Sequence, residues 1–231
     1  MRYSILAGGL VAFAAFGWGG RANAQITPQG GGYLFRQKYT AGQKINYVMD
    51  MNVTAPGAPT ASGAFKMQMM LHLTVLSVKG GVANVNIASD AMTMGGKALK
   101  KGENATVKID SRGQTTGSGD HNGGVAPIFP QGPIKIGGTF TSAAGGATSM
   151  GGFSTTTTFR LVGFKVYNGR KVAQLAVTSN IGGKAAGTSS GFMLIAEADG
   201  QLVSSRADSS MNVGQNGKNM SVVSHVKIER K

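Results

Sequence analysis

Phe65-Lys66-Met67-Gln68-Met69-Met70-Leu71-His72-Leu73-Thr74-Val75 decides the fold. Apolar side chains fall on Phe65, Met67, Met69, Leu71, Leu73 and Val75, opposed by Lys66, Gln68, His72 and Thr74. A period of two is that of an extended strand with one face hidden and one face wet. The same pattern governs Tyr47, Met49, Met51 and Val53 against Asn46, Asp50 and Asn52. It returns near the end, where Met220, Val222, Val226 and Ile228 oppose Ser221, His225, Lys227 and Glu229. Beyond the first two dozen residues no window carries a sustained i, i+3, i+4, i+7 stripe with caps. The reading is an all-β chain of antiparallel strands.

Turn chemistry agrees. Tyr167-Asn168-Gly169-Arg170 lies between two alternating runs, and Asn-Gly suits a hairpin turn with positive φ at both central residues. Lys79-Gly80-Gly81 does the same after Val78, Asp199-Gly200 joins strands at 192–198 and 202–213, and Asp110-Ser111-Arg112-Gly113 follows a strand at 106–109. These signals repeat: residues 73–81 can be laid on 161–169, and after a two-residue insertion 85–90 fall on 175–180. Gly113-Gln114 then falls on Gly200-Gln201, and Gly42 near Gly137. The expectation is two pseudo-repeated halves, residues 25–126 and 127–231, forming an open barrel or clam, or else a sandwich. Between them, 113–132 is rich in glycine and polar residues, and Pro127, Pro130 and Pro133 favour an extended crossover. Residues 137–152, with Ala143-Ala144-Gly145-Gly146, read as a loop, as do 55–59.

Residues 1–24 read as an export signal: Arg2 supplies the positive start, 5–18 is an apolar run broken only by glycines, and Ala22-Asn23-Ala24 is a small-x-small cleavage site. The apolar run is short for a bilayer span, so no stable membrane anchor is expected after cleavage, and the location is periplasmic or secreted. The chain has no cysteine, so no disulfide framework contributes to stability. Its 37 glycines are about twice the usual share, it has 12 methionines, and only 7% of residues are aromatic. The formal charge of +14 rests on 23 basic and nine acidic residues, and Arg2 and Arg21 leave with the signal. Such a surface favours an anionic envelope polymer or lipid. Nucleic acid is not expected, because the cations are scattered without interleaved aromatics and the chain is exported.

Tyr33, the pair Gly42-Gln43 followed by Tyr47, Pro133-x-x-x-Gly137, and Gly200-Gln201-Leu202-Val203 form a set of short motifs spread over most of the mature chain. In these the sequence resembles bacterial families of exported β-rich proteins of unknown function. It departs at Gly137-Gly138-Thr139-Phe140, where the resemblance would place an acidic residue and a tryptophan. The resemblance implies location and fold and no reaction.

Three constellations bear on chemistry. Gly187-Thr188-Ser189-Ser190-Gly191 is a literal G-x-S-x-G, followed by Asp199 or Asp208 and then His225 in hydrolase order, with His121-Asn122-Gly123-Gly124 imitating an oxyanion loop. A nucleophile elbow needs a strand before the serine and a helix after it. Ser189 reads instead as part of a Gly/Ser-rich turn before a strand, so a secreted serine hydrolase is the weaker alternative. His72, His121 and His225 lack ligand spacing, and no metal or other cofactor is expected. Asp110, Asp120, Asp199 and Asp208 read as turn residues, and Glu197 as part of a solvated strand face.

Met49, Met51, Met67 and Met69 share the apolar faces of what should be neighbouring strands, with Met92 and Met94 following. Methionine fills irregular cores and also suits adaptable contact with greasy ligands. The functional expectation is an exported, non-enzymatic envelope protein binding a lipid or other amphiphile in an apolar groove walled by Met49, Met51, Met67 and Met69. The competing binding class is a basic surface module for anionic glycans. Exported protein should begin at Gln25, checked by N-terminal sequencing and intact mass; a chain that retains Arg2 after export would remove the argument for location.

Overall fold

In the computed structural model, residues 26–56, 63–94, 97–100, 102–116, 127–144, 153–183, 185–215 and 218–231 are described. The expected export signal, residues 1–24, lies outside them, as do His121 and half of the 113–132 crossover. The strands are β1 (Thr27–Gln29), β2 (Gly32–Leu34), β3 (Lys44–Thr54), β4 (Ala64–Lys79), β5 (Val82–Ser89), β6 (Met92–Met94), β7 (Lys97–Lys100) and β8 (Asn104–Ile109). There follow β9 (Thr115–Thr116), β10 (Thr139–Ala144), β11 (Phe153–Tyr167), β12 (Arg170–Gly183), β13 (Ala185–Ala196), β14 (Leu202–Gln215) and β15 (Lys218–Arg230). β1 and β2 form a small hairpin, and the rest form one antiparallel sheet in the order β10-β11-β12-β13-β14-β15-β3-β4-β5-β8-β9, with β6 and β7 alongside β4. Among the described residues no helix occurs.

Alternation in the sequence becomes burial. β3 hides Ile45, Tyr47, Met49, Met51 and Val53, and β4 hides Phe65, Met67, Leu71, Leu73 and Val75. Each side chain of this size removed from water contributes about 1.5–3 kcal/mol. One core cluster takes in these residues together with Phe159, Leu161, Leu175, Val177 and Met193 of the other half.

The sequence duplication is realised in hydrogen bonds. Gly42 N–H donates to Val75 O (2.8 Å) and Val75 N–H to Gln43 O (2.9 Å). In the second half Gly137 N–H donates to Leu161 O (2.7 Å) and Leu161 N–H to Gly138 O (3.0 Å). Gly42 and Gly137 hold φ of 81° and 83°, a left-handed conformation that glycine adopts without steric cost. Next to Val75 and Leu161 the ladder slips at Leu76 and at Val162. The turns correspond as well: Gly113 N–H bonds Asp110 O and Asp110 N–H bonds Gln114 O, as Gly200 N–H bonds Ala196 O and Ala196 N–H bonds Gln201 O.

One part of the sequence alignment shifts. Leu161 corresponds to Val75 rather than Leu73, while Leu175 still corresponds to Val85. The second hairpin is therefore longer by two residues on each arm, and it closes at Asn168 (φ 48°) and Gly169 (φ 73°) where the first closes at Gly80 and Gly81. Equal, even growth of both arms preserves pairing and keeps every side chain on its own face. A second correction concerns 137–152: residues 139–144 are not loop but strand β10, paired with β11 from Thr139↔Arg160 to Ala144↔Thr155.

The sheet curls without closing. Its two terminal strands, β9 and β10, do not pair, and the proline-rich segment 127–130 lies between their ends. Phe129 N–H donates to Arg112 O (2.8 Å), Arg112 Nε donates back to Phe129 O (2.8 Å), and Ile128 N–H reaches Ser142 Oγ on β10 (3.3 Å). Arg36 Nη1 holds Pro130 O at 2.8 Å. Phe129 itself is wholly buried, with ring centroids 5.4 Å from Phe35 and 6.2 Å from Phe140.

The N-terminal segment crosses one end of the curl. Ile26 N–H bonds Glu197 O (3.2 Å), Gln37 N–H bonds Ser111 O (3.0 Å) and Lys38 N–H bonds Asp199 O (2.9 Å). Ile26, Phe35 and Tyr39 enter the core there.

Phe129→Ala should lower the unfolding free energy by about 3–5 kcal/mol, since it empties the seam and leaves a cavity. Denaturant unfolding monitored by circular dichroism checks this, and a loss under ~1 kcal/mol would mean that the seam does not hold the curl.

Candidate functional site

The register sets Met49 opposite Met69 and Met51 opposite Met67. All four point into the curl: Met49, Met51 and Met67 are buried, Met69 half-buried, and Met69 and Met92 pack on the core. With Met92 and Gln68 they line a cavity of about 10 Å³. That is at the lower limit for one water molecule, so the wall is packed in this conformation. The structure thus brings the four methionines together and fills the space between them with their own side chains.

The same inner face carries an arrangement that the sequence reading missed. One register line crosses six neighbouring strands as Ser142↔Thr157↔Ser179↔Ser189↔Ser209↔Ser224. It continues into Val53 and Phe65 beside the methionines. Thr157, Ser179, Ser189, Ser209 and Ser224 are all buried. Thr157 and Ser179 share a hydrogen bond of 2.9 Å, and Ser209 and Ser224 share one of 2.6 Å. Ser189 stands between the pairs at 3% exposure, and its Oγ has no partner among the described residues. A buried hydroxyl left so costs about 1–3 kcal/mol.

The line is specific to the second half, because its counterpart in the first half runs Tyr47↔Leu71↔Ser89. The only signal for it in the sequence is a Ser or Thr at one inward position in each of several strands. Those positions become a row once register is known.

Ser189 corrects the sequence reading in a second way. It lies in the middle of β13, not in a turn. Its flanking glycines are placed for close strand approach: a Cβ on Gly187 would strike Ser210 O and one on Gly191 would strike Arg206 O. The hydrolase geometry fails as a result. Ser189 faces inward, while Asp208 and His225 pair with each other on the outer, wet face, Nδ1 to Oδ1 at 2.5 Å. Asp208 is also mid-strand, in β14, not in a turn.

His72 lies on the outer face as well, bonded to Asn46 Oδ1 (2.9 Å) and Asp90 Oδ1 (3.2 Å). Among the described residues no group of three or more His, Cys, Asp or Glu could hold a metal ion.

Glu197 lies just beyond β13 and lines a cleft of about 700 Å³ with Arg170, Lys171, Asp199 and Arg230. Asp199 is already committed to the turn: one oxygen accepts Gln201 N–H (2.9 Å) and the other Arg230 Nη1 (2.9 Å). On the outer face a hydrogen bond from Lys227, with one from the Tyr167 hydroxyl, holds Glu229 below the usual carboxylate range against the opposing effect of burial. Burial lowers the Arg36 pKa, as does the neighbouring charge of Arg112, while Asp110 opposes both. Burial raises the Tyr47 hydroxyl pKa, so it stays protonated in the core.

No family model matches the sequence, and no curated protein matches it. Among solved structures, a Nitrosomonas europaea protein provisionally assigned as AttH is similar at 10% identity and a TM-score of 0.24, over 90% of this chain. The chain spans 57% of that protein's length.

Ser189→Ala should melt at or above the wild-type temperature, because it deletes a desolvated hydroxyl without breaking a bond. Thermal denaturation decides; a fall of several degrees would mean that the hydroxyl has a partner.

Proposed function

We propose that this chain is an exported, non-enzymatic β-protein of the bacterial envelope that binds a lipid or other amphiphile on the inner face of its curled sheet. The observation that carries the reading is the methionine wall, with Met49 beside Met69 and Met51 beside Met67 on a buried face. Methionine, with three rotatable bonds and a polarisable sulfur, can repack around a guest at lower cost than branched side chains can. Among the described residues the end strands β9 and β10 are joined through segment 127–130 rather than by a ladder of their own, which leaves that side of the sheet able to widen. The methionine side chains fill their own wall down to a cavity of about 10 Å³, so uptake proceeds by their displacement. The serine-hydrolase alternative is weakened by the placement of Ser189 on the opposite face of the sheet from Asp208 and His225.

The test is titration of delipidated protein with a fluorescent acyl probe at low and high salt. Uptake into the apolar interior should saturate and survive high salt, whereas binding through exposed lysines, as an anionic glycan would use, weakens steeply. Met67→Gln with Met69→Gln should weaken the uptake about ten-fold or more in a protein that remains folded. A folded protein that takes up no amphiphile would end this reading.

A further inference from the structure

The inner hydroxyl row extends the amphiphile reading and rests on it. We infer that Ser189, with the hydroxyls in register beside it, receives the neutral polar end of the bound amphiphile, an ester or hydroxyl group, while the methionine wall takes its apolar chain. Hydroxyl bookkeeping along the row motivates the assignment. Thr157 and Ser179 satisfy each other, as do Ser209 and Ser224, which leaves the central Ser189 Oγ buried and unpartnered among the described residues. Buried polar atoms in folded proteins nearly always have partners, so this one points to a group that arrives from outside the chain. A hydroxyl can donate to an ester carbonyl or exchange bonds with an alcohol.

Glycine flanks Ser189 on the same face of β13, at Gly187 and Gly191, so no side chain stands beside the hydroxyl along its own strand. On the neighbouring strands the row is bordered by Val177 and Ile181 on β12 and by Ala207 and Met211 on β14. All four are apolar and buried. No Lys or Arg occupies the row or these bordering positions. An ionised carboxylate or phosphate would therefore lose its hydration with no counter-charge, which favours a neutral end group.

Distance suits a single ligand. From β13 to β3 the sheet advances three strands, through β14 and β15, or about 14 Å. Ser224 sits opposite Val53, two residues from Met51, so the row runs into the methionine wall on one continuous face.

The experiment uses two probes with the same chain, pyrenedecanoic acid and its glycerol monoester, titrated at neutral pH and high salt into the delipidated mature protein. The monoester should bind about ten-fold or more tightly than the acid. Ser189→Ala should weaken monoester binding about five-fold, the usual worth of one hydrogen bond, while melting no lower than wild type. Ser190→Ala, on the outer face of the same strand, should bind as wild type does. If both probes are taken up but Ser189→Ala holds the monoester as tightly as wild type, the assignment to Ser189 is overturned and the amphiphile reading stands. A preference for the acid overturns the neutral end group. If neither probe is taken up, both readings fall together.

Discussion

The inner face of the antiparallel sheet carries the main apolar core, and most of the rest of this structure follows from the need to hide it. In a chain with no cysteine the face has to cover itself, and it does so by curling. Curling brings the sheet's two ends near each other, where unpaired backbone groups would otherwise be exposed. The proline-rich segment 127–130 fills the gap. Its prolines suit it to an extended path, while Phe129 supplies the side chain that the core lacks at the seam. The residues from Ile26 to Tyr39 then stop one end of the curl through backbone bonds to the turns of both halves.

Duplication explains why those bonds come in matched sets. Each half offers a turn, Asp110 to Gln114 and Ala196 to Gln201, whose carbonyls face the N-terminal segment. The halves differ where function is proposed. The line that is Tyr47 and Leu71 in the first becomes hydroxyls in the second, and the four methionines of the wall belong to the first alone. Strand β15 joins the two meanders, pairing with β14 and β3, and carries Ser224 between the hydroxyl row and Val53. One duplicated scaffold thus presents an apolar wall and a polar row on the same inner face.

The cost of that inner face is visible in its hydroxyls. Paired serines and threonines contribute little net stability, about 0.5–1.5 kcal/mol per bond, and an unpartnered one detracts. Alanine or valine would pack the same positions with no desolvation penalty. Within the row it is Ser189 that detracts from stability, which is the relation expected of a residue kept for a partner rather than for packing.

Local sequence determined the strands, the turns and the duplication, because each rests on chemistry within a few residues. Alternation fixed which face of β3, β4 and β15 is buried, and Asn168-Gly169 and Gly80-Gly81 fixed the β11–β12 and β4–β5 hairpins. It also brought the four methionines to one face, since a period of two requires no partner strand to be read. Local sequence was misleading where glycine and serine dominate: β10 and the middle of β13 look like loops, and become strands because the neighbouring backbones pair with them. Register was decided only by the tertiary structure. Ser189 lies at least ten residues from its nearest partners in the row, Ser179 and Ser209, and nothing in the chain aligns them until the strands pair. Likewise the opposition of Ser189 to Asp208 and His225 is a matter of which side of a sheet each faces. Order along the chain suggests a catalytic set, and the pleat separates it.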